Sequence, residues 1–392
     1  MPAFSGSLNT NYIFAALYNM IISQQVFASP LRKHQTLVDQ ARVDGGLYGD
    51  TKLYVSTDVL KSKPWGADSE ASNLLALDRP PAPKTQAIEL DQFRQIRVTI
   101  DEYLSKQAWM GEGVFSQFNG VITSWIGDTK SVYDGTLYNV FIGTDESSTG
   151  KQQQQIDVTT PTTGLTGLEA SRVEALTIAK GLADLIDQIE DYSRDFNDNQ
   201  FLRSFGLEDL KIIWNKKYIN QIRKVDLPTI FHKDGLIEKM NGESLAPRYW
   251  GVLLTSSTIG TYSASTPAAG KPIDSDDGSY VPGTNHANGM VRAAVEKDVT
   301  VSAVAYHVFP GDEIPAGATV KASGTFELGE VYIQTDDIIC KIYVELPPYM
   351  SAMTVGTSFF NPRSLTENKY LTFGHNSLEH LFEYPVVTVR KV

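Results

Sequence analysis

The fold is decided by residues 87–100, which read AIELDQFRQIRVTI and alternate apolar with polar side chains. Alternation with a period of two is typical of a β-strand that buries one face. A second such stretch runs from Lys52 to Val59, and prolines crowd the residues between the two. Because proline lacks the donor that a regular ladder needs, we predict a long hairpin with a wide, proline-rich tip. A hairpin of this reach cannot bury both faces itself, and we expect it to lie on another subunit.

Two long helices are predicted downstream of the hairpin. Apolar residues recur at helical spacing from Gly113 to Phe141, and the glycines inside this helix are expected to bend or break it. Trp125 follows the same spacing and is interpreted as a core residue. A second apolar stripe runs to about Phe196, after a capping-box pattern that begins at Thr166. Acidic residues crowd its last turns, which indicates either a basic partner or plain exposure to solvent.

The rest of the chain mixes short strands with helical and irregular segments, which predicts the α+β class. Residues 210–214 (LKIIW) indicate a buried strand, and residues 216–224 a helix after it. Residues 255–289 are rich in Ser, Thr, Gly and Pro and are expected to form a long exposed loop. Residues 290–346 indicate a small all-β unit, and residues 386–392 a closing strand.

Composition limits the possible classes of protein. The chain has 392 residues, of which 42% are hydrophobic and 20% charged, so it is expected to fold. Its formal net charge of -12 excludes a general electrostatic affinity for nucleic acid or anionic membranes. The single cysteine, Cys340, cannot form an internal disulfide, and its apolar neighbours indicate a buried structural thiol. Residues 1–31 contain no Asp, Glu, Lys or Arg, which favours a neutral amphipathic arm over a signal peptide or membrane span.

Candidate chemical motifs fail on their spacing. Residues 143–151 resemble a phosphate loop, but six residues separate the glycines and Gln152 replaces the hydroxyl that would hold magnesium. The two histidines of residues 375–380 (HNSLEH) miss both zinc-helix spacings. The acidic residues within 274–277 lack the ligand pattern of an EF-hand. We therefore predict no catalytic residue, no cofactor and no metal site.

Three segments carry a resemblance to a known family. They are residues 97–103 (RVTIDEY) running into the helix of 113–141, residues 209–215 (DLKIIWN) with the helix after them, and residues 384–389 (YPVVTV). In this order they resemble the major capsid (head) proteins of tailed bacteriophages, of the Hong Kong 97-type fold. The nearest resemblance is to small short-tailed phages (podoviruses) of Gram-positive hosts. The resemblance implies an α+β fold with an N-terminal arm, an extended β-hairpin loop, a long spine helix, peripheral and axial domains, and an inserted small β subdomain.

The family's parts divide this sequence into five segments. They are the N-terminal arm at 1–44, the extended loop at 45–104, the spine helix with the peripheral and axial core at 105–254, an exposed loop and inserted β subdomain at 255–346, and the C-terminal return to that core at 347–392. Contacts between subunits are then expected at Tyr12, Phe14, Tyr54, Pro64, Trp65, Pro81 and Phe93.

The resemblance implies a structural protein and not an enzyme. Copies of the chain would form pentamers and hexamers that close into the icosahedral head shell around the double-stranded DNA of a tailed phage. Further partners would be a portal and either a separate scaffolding protein or none, with no membrane and no cofactor. The chain would be assembled in the host bacterial cytoplasm and reside in the virion. Its negative charge fits a wall that holds DNA loosely.

Two alternatives stay open at the level of sequence. One is another virion structural protein, such as a tail, collar or fibre component, although the two long helices count against an all-β fibre. The other is a soluble hydrolase with paired carboxylates, for which the uncharged arm and the proline-tipped hairpin would have no role. Fewer than about 50 residues precede the hairpin, too few for an independent folded domain, so we expect an N-terminus without a fused scaffold and without cleavage.

Overall fold

The computed structural model describes most of the chain after residue 35. The described residues are 36–46, 50–62, 79–101, 112–145, 152–223, 243–264, 271–280, 282, 289–363 and 366–392. Most of the predicted N-terminal arm, with Tyr12 and Phe14, lies outside them. The same holds for Pro64 and Trp65 in the predicted hairpin tip.

The described elements alternate helices and strands, in keeping with the predicted α+β class. The helices are α1 (Thr36–Ala41), α2 (Glu112–Gly143), α3 (Thr159–Thr162), α4 (Leu168–Glu190), α5 (Lys216–Arg223) and α6 (Ile259–Tyr262), with a 3-10 turn at Pro247–Tyr249. The first strands are β1 (Arg42–Asp44), β2 (Thr51–Ser56), β3 (Lys84–Asp101), β4 (Thr144–Asp145), β5 (Gln153–Ile156), β6 (Lys211–Asn215), β7 (Ser244–Leu245), β8 (Gly251–Leu253) and β9 (Ser263–Ala264). The later strands are β10 (Ile273–Asp274), β11 (Val291–Ala293), β12 (Lys297–Val301), β13 (Val304–Val308), β14 (Val331–Gln334), β15 (Ile338–Tyr343), β16 (Tyr349–Asn361), β17 (Thr366–Asn376) and β18 (Val386–Lys391).

The predicted hairpin is present in the described residues. β2 and β3 pair antiparallel, with Thr51 opposite Glu89 and Ser56 opposite Lys84. They lie at one side of a sheet with the order β1-β16-β17-β3-β2, so β2 is an edge strand. β1 pairs parallel to the start of β16. The sequence did not predict β16 and β17, which supply the middle of this sheet.

The chain divides into two units. The smaller one comprises Met1–His34, Phe93–Val132 and Met353–Gly374. Its described part contains the second half of β3, the first part of α2 and segments of β16 and β17. Side chains tie β3 to β17, since Thr99 Oγ1 donates to Asn368 Oδ1 over 2.6 Å. The Lys130 ammonium lies 5.3 Å from the centre of the Phe373 ring, a cation–π contact.

The larger unit comprises Gln35–Gln92, Tyr133–Ala352 and His375–Val392. Its centre is a sheet with the order β5-β18-β15-β6-β7, which α4 covers on one face. The apolar side chains on that face are Ala175, Ile178, Leu182, Leu185, Ile186 and Ile189 of α4 against Ile212, Trp214, Cys340, Ile342, Val387 and Val389 of the sheet. Each fully buried side chain of this kind contributes about 1.5–3 kcal/mol to folding. The predicted strand of residues 210–214 and the predicted closing strand are both confirmed here.

The β-rich stretch forms a second core in the larger unit. A sheet with the order β11-β14-β8-β4 and the hairpin of β12 and β13 contribute to one apolar cluster around Phe326, Val331 and Ile333. The β12–β13 hairpin turns at Ser302 and Ala303, which both have positive φ (51° and 64°), as a two-residue turn of this kind requires. The sequence grouped residues 338–344 with this β-rich stretch. That grouping is wrong, because β15 pairs with β18 and β6 in the central sheet.

Several helix predictions need correction. α2 runs without a break from Glu112 to Gly143, past the glycines that were expected to interrupt it. The predicted capping box is wrong, because α4 has Gly167 at its N-cap with no side-chain cap bond. α4 also ends at Glu190, since Asp191 is extended. Trp125 is 45% exposed and is not a core residue. In the described part of the chain, no helix combines the length and hydropathy that crossing a membrane requires.

Candidate functional site

The β2–β3 hairpin packs one face on its own chain. Ile88 and Leu90 point inward and are buried against Met350, Ala352 and Leu381. Tyr54 joins the same cluster from β2 as a half-buried side chain. Burial, and then the charge of Glu345, raises the pKa of Tyr54. The expectation that the hairpin would lie on another subunit is therefore wrong for this face, because residues of the same chain already cover it.

The opposite face and the end of β2 expose apolar side chains. The exposed fractions are 67% for Leu53, 59% for Val55, 53% for Val59 and 72% for Leu60. We call these four residues the apolar strip. They lie on an edge strand and the residues directly after it, and exposed apolar edges of this kind tend to associate with other chains. The period-two pattern indicated that Leu53 and Val55 share a face, although neither was among the predicted contact residues.

The other predicted contact residues within the described chain are both exposed. Pro81 lies just before β3. Phe93 lies on β3 in the smaller unit and is more than half exposed. Tyr54, in contrast, faces its own chain, so among the predicted residues that the structure describes, Pro81 and Phe93 present free surface.

A buried polar network ties α2 to the strands around it in the larger unit. His375 Nδ1 lies 2.9 Å from the Asn376 carbonyl oxygen and donates to it, which leaves Nε2 to accept from the Tyr133 hydroxyl over 2.7 Å. The Tyr349 hydroxyl donates to Asp134 Oδ1 over 2.8 Å. Arg42 lies 3.5 Å from the other oxygen of Asp134. These residue types also occur in catalytic sites, but each of these groups is bonded to a neighbour, which is typical of a network that fixes packing.

A second group of buried charges lies on the other face of the central sheet from α4. Asp145 follows α2, and Lys341 on β15 and Arg390 on β18 lie close to it. Arg390 Nη2 is 3.4 Å from Asp145 Oδ2, and Gln153 donates to the same oxygen. Lys341, only 2% exposed, donates to the Thr144 carbonyl oxygen. Burial alone would raise the pKa of Asp145, but the charges of Lys341 and Arg390 outweigh it and lower the pKa. We call Asp145, Lys341 and Arg390 the buried ion cluster.

The two histidines of the HNSLEH stretch have separate surroundings. His375 belongs to the Tyr133 network, whereas the ring of His380 stacks on Phe141 at 4.8 Å. Within the described residues, no three His, Cys, Asp or Glu side chains are grouped so that they could hold a metal ion. Cys340 is fully buried, and burial raises the pKa of its thiol, so it is not an activated nucleophile.

The surroundings of His380 predict a dependence of stability on pH. Burial, and then the charge of Lys341, lowers the pKa of His380 to about 3. The unfolded chain, with a histidine pKa of about 6.5, binds more protons below that pH, so the contribution of His380 is complete above pH 6.5 and is lost toward pH 3. His380→Phe keeps an aromatic ring against Phe141 and removes this titration. Urea unfolding of the subunit should show the loss of stability from pH 7 to pH 4 reduced by about 2–3 kcal/mol. Parallel profiles of unfolding free energy against pH for the wild type and His380→Phe would contradict this prediction.

Comparisons with known proteins identify the fold. No family model and no curated protein matches the chain. A chain in the capsid structure of Staphylococcus phage Andhra matches with a TM-score of 0.50 and 11% sequence identity, covering 100% of this chain and 88% of that one. A chain in the structure of the head fiber and inner core protein gp22 of native bacteriophage P68 matches with a TM-score of 0.54 and 10% identity, with the same two coverages. The chain therefore has a mixed α+β fold that it shares with a chain of a phage capsid.

Proposed function

We propose that this chain is the major capsid protein of a tailed phage, a structural protein of the virion that assembles with copies of itself into the icosahedral head shell. The observation that carries the proposal is the match of the whole chain to a chain of the Staphylococcus phage Andhra capsid. The exposed apolar strip supports it, because a subunit of a closed shell must keep apolar surface for its neighbours. No enzymatic activity and no cofactor are part of this function.

The proposal includes the Hong Kong 97-type organisation and its relation to podoviruses of Gram-positive hosts. In it, residues 1–44 are the N-terminal arm and residues 45–104, which contain β2 and β3, are the extended loop. Residues 105–254 hold α2 as the spine helix with the peripheral and axial core. Residues 255–346 hold the inserted β subdomain, although β15 pairs in the central sheet, and residues 347–392 return to the core. The continuous helix of α2 and the paired strands β2 and β3 support this assignment.

Contacts between subunits are proposed at the apolar strip, together with six of the seven residues that the sequence indicated; Tyr54, which packs on its own chain, is left out. A strip on an edge strand suits a partner that is a second copy of the chain, since pentamers and hexamers repeat the same contact at every subunit. The enclosed double-stranded DNA would meet a chain with a net charge of -12, which favours loose packing over tight binding. A portal and a separate scaffolding protein complete the proposed set of partners, and assembly takes place in the host cytoplasm.

A second candidate is another structural protein of the phage head. It is favoured by the match to a chain in the structure of the P68 head fiber and inner core protein. The long helices α2 and α4 count against an all-β fibre. A carboxylate-based hydrolase is the weakest alternative, because Asp134 and the partly buried Asp145 are both engaged with basic side chains.

Expression of the chain alone, and with a scaffolding protein, tests the proposed function. We expect closed shells or ring-shaped capsomers in negative-stain images, because the strip and the hairpin present the same surface on every copy. Elongated particles would instead indicate a fibre or tail component. Small monodisperse particles at every concentration and with every scaffold would contradict the capsid proposal.

A further inference from the structure

The loop end of the β2–β3 hairpin, where Ser56 pairs with Lys84, is held by polar contacts with distant parts of the larger unit. Ser56 ends β2, Thr57 and Asp58 follow it, and Lys84 and Gln86 lie at the start of β3. Two segments pack on them, residues 194–203 after α4 and residues 380–383 before β18. Gln86, for example, donates to the His380 carbonyl oxygen over 2.8 Å and accepts from the Phe382 amide over 3.1 Å.

Asp58 forms the charged centre of these contacts. Its Oδ2 lies 2.6 Å from Arg194 Nη1, and its Oδ1 accepts from the Leu202 amide over 3.1 Å. The hydrogen bond from Arg194, followed by that from Leu202, lowers the pKa of Asp58 to about 2. The carboxylate is therefore charged at neutral pH, and its bonds to Arg194 and Leu202 are charge-assisted there.

Arg203 and Lys84 extend the contacts on either side of Asp58. Arg203 Nη2 donates to the Thr57 carbonyl oxygen over 2.8 Å and to Glu383 over 2.9 Å. Lys84 Nζ donates to the Asn199 carbonyl oxygen over 2.9 Å. Both cations, Lys84 from β3 and Arg203 from the segment after α4, also lie 5.2 Å from the centre of the Phe201 ring. We call Asp58, Lys84, Arg194 and Arg203 the hairpin clamp.

The clamp lies next to the apolar strip in the chain. Leu53 and Val55 lie on β2, before Asp58 in the chain, and Val59 and Leu60 follow Asp58 directly. The strip is exposed, whereas the residue between its two halves is tied to the rest of the larger unit by charge-assisted bonds. We propose that the hairpin clamp positions the apolar strip in the free subunit, so that a second copy of the chain meets it already ordered. This inference rests on the proposed function.

The physical benefit is in the entropy of assembly. A segment that is ordered only on binding reduces affinity by the entropy of that ordering, and a segment that is ordered beforehand does not. Because every subunit of a shell makes the same contact, a small gain per contact is multiplied over the assembly. The clamp residues are therefore positioning residues, which act through the strip and need not touch the neighbouring copy.

Asp58→Asn and Arg203→Gln, made separately, test the clamp. Hydrogen exchange in peptides that cover residues 51–60 of the free subunit should become about tenfold faster in each variant, because a charge-assisted bond is lost. The concentration of folded subunit needed for assembly should rise about tenfold, while the equilibrium constant of global unfolding in urea changes by no more than the same factor. Arg203→Lys should retain part of the protection from exchange and part of the wild-type assembly that Arg203→Gln loses, since one ammonium can donate to one of the two acceptors. Asp184→Asn, an exposed charge on α4, is the matched control and should change none of these quantities.

The readouts separate failure of the clamp from failure of the proposed function. Unchanged hydrogen exchange and an unchanged assembly threshold in both variants would overturn the clamp while wild-type shells still form. A lower unfolding midpoint with an unchanged threshold per folded subunit would show a structural role only, and would also overturn it. Absence of assembly by the wild-type chain would refute the proposed function, and the exchange measurement would still decide whether the clamp orders residues 51–60.

Discussion

Glutamate at both Leu53 and Val55 is expected to abolish shell assembly and leave the subunit folded. The two side chains are 67% and 59% exposed in the free chain, and substitutions at such positions usually change folding stability by less than about 0.5 kcal/mol. In an interface they would become two buried charges without partners, each of which costs about 2–5 kcal/mol. The assembly threshold should therefore rise at least about 100-fold, as measured by size-exclusion chromatography and negative-stain imaging, with an unchanged thermal unfolding curve.

A matched pair of substitutions controls for the added charge. Val304 and Tyr306 lie on β13 at similar exposed fractions of 50% and 42%, and they alternate in the same way along a strand. Val304→Glu with Tyr306→Glu adds the same charge to a different edge and should leave the threshold within about threefold of wild type. Equal loss of assembly in both double variants would show a general effect of charge. Normal assembly of the Leu53 and Val55 variant would contradict the role of the strip.

Local patterns predicted the elements whose stability is decided locally. The alternation of residues 87–100 predicted β3, and its pairing with the stretch after Lys52 followed from proximity in the chain. The apolar spacing after Gly113 predicted α2. It did not predict that the helix continues past its internal glycines. The helix continues because the propensity cost of about 1 kcal/mol for each glycine is small beside the free energy gained by burying Tyr138 and Ile142.

Features that depend on distant residues were not predictable. β16 and β17 lack a clean alternation, and their pairing joins them to β1 and β3, which lie more than 200 residues earlier in the chain. The capping box at Thr166 is a local pattern that the surrounding structure does not use. The strip could be inferred from alternation, but whether its face or the opposite one is exposed depends on Met350 and Leu381, which cover the other side.

The buried ion cluster is the clearest case of a feature that only the fold reveals. Its three residues come from positions 145, 341 and 390, and nothing in the sequence near any of them indicates a partner. In the sequence, Lys341 is a single charge inside an apolar strand. In the structure its charge and that of Arg390 both act on Asp145 and lower the pKa of that carboxylate.

Removal of that carboxylate is expected to give the largest loss of folding stability. Asp145→Ala removes the carboxylate that lies beside the buried side chains of Lys341 and Arg390, and breaking a buried pair in this way costs about 3–5 kcal/mol. The midpoint of urea unfolding of the subunit should fall accordingly. The pKa of Asp145 is lowered on folding, so its contribution is complete above pH about 4 and is lost at lower pH, which means that the variant and the wild type should converge in acid.

A double-mutant cycle decides whether charge, and not lost packing, causes the effect. Lys341→Met keeps an apolar chain of similar length in β15 and removes one of the two cations. If unpaired charge dominates, Lys341→Met in the Asp145→Ala background should recover about 1–3 kcal/mol, although alone it is destabilising because the bond to Thr144 is lost. Strictly additive losses would show that the three residues act independently. Such a result would contradict the interpretation that Asp145 is retained to neutralise two cations that the central sheet and the end of α2 bury together.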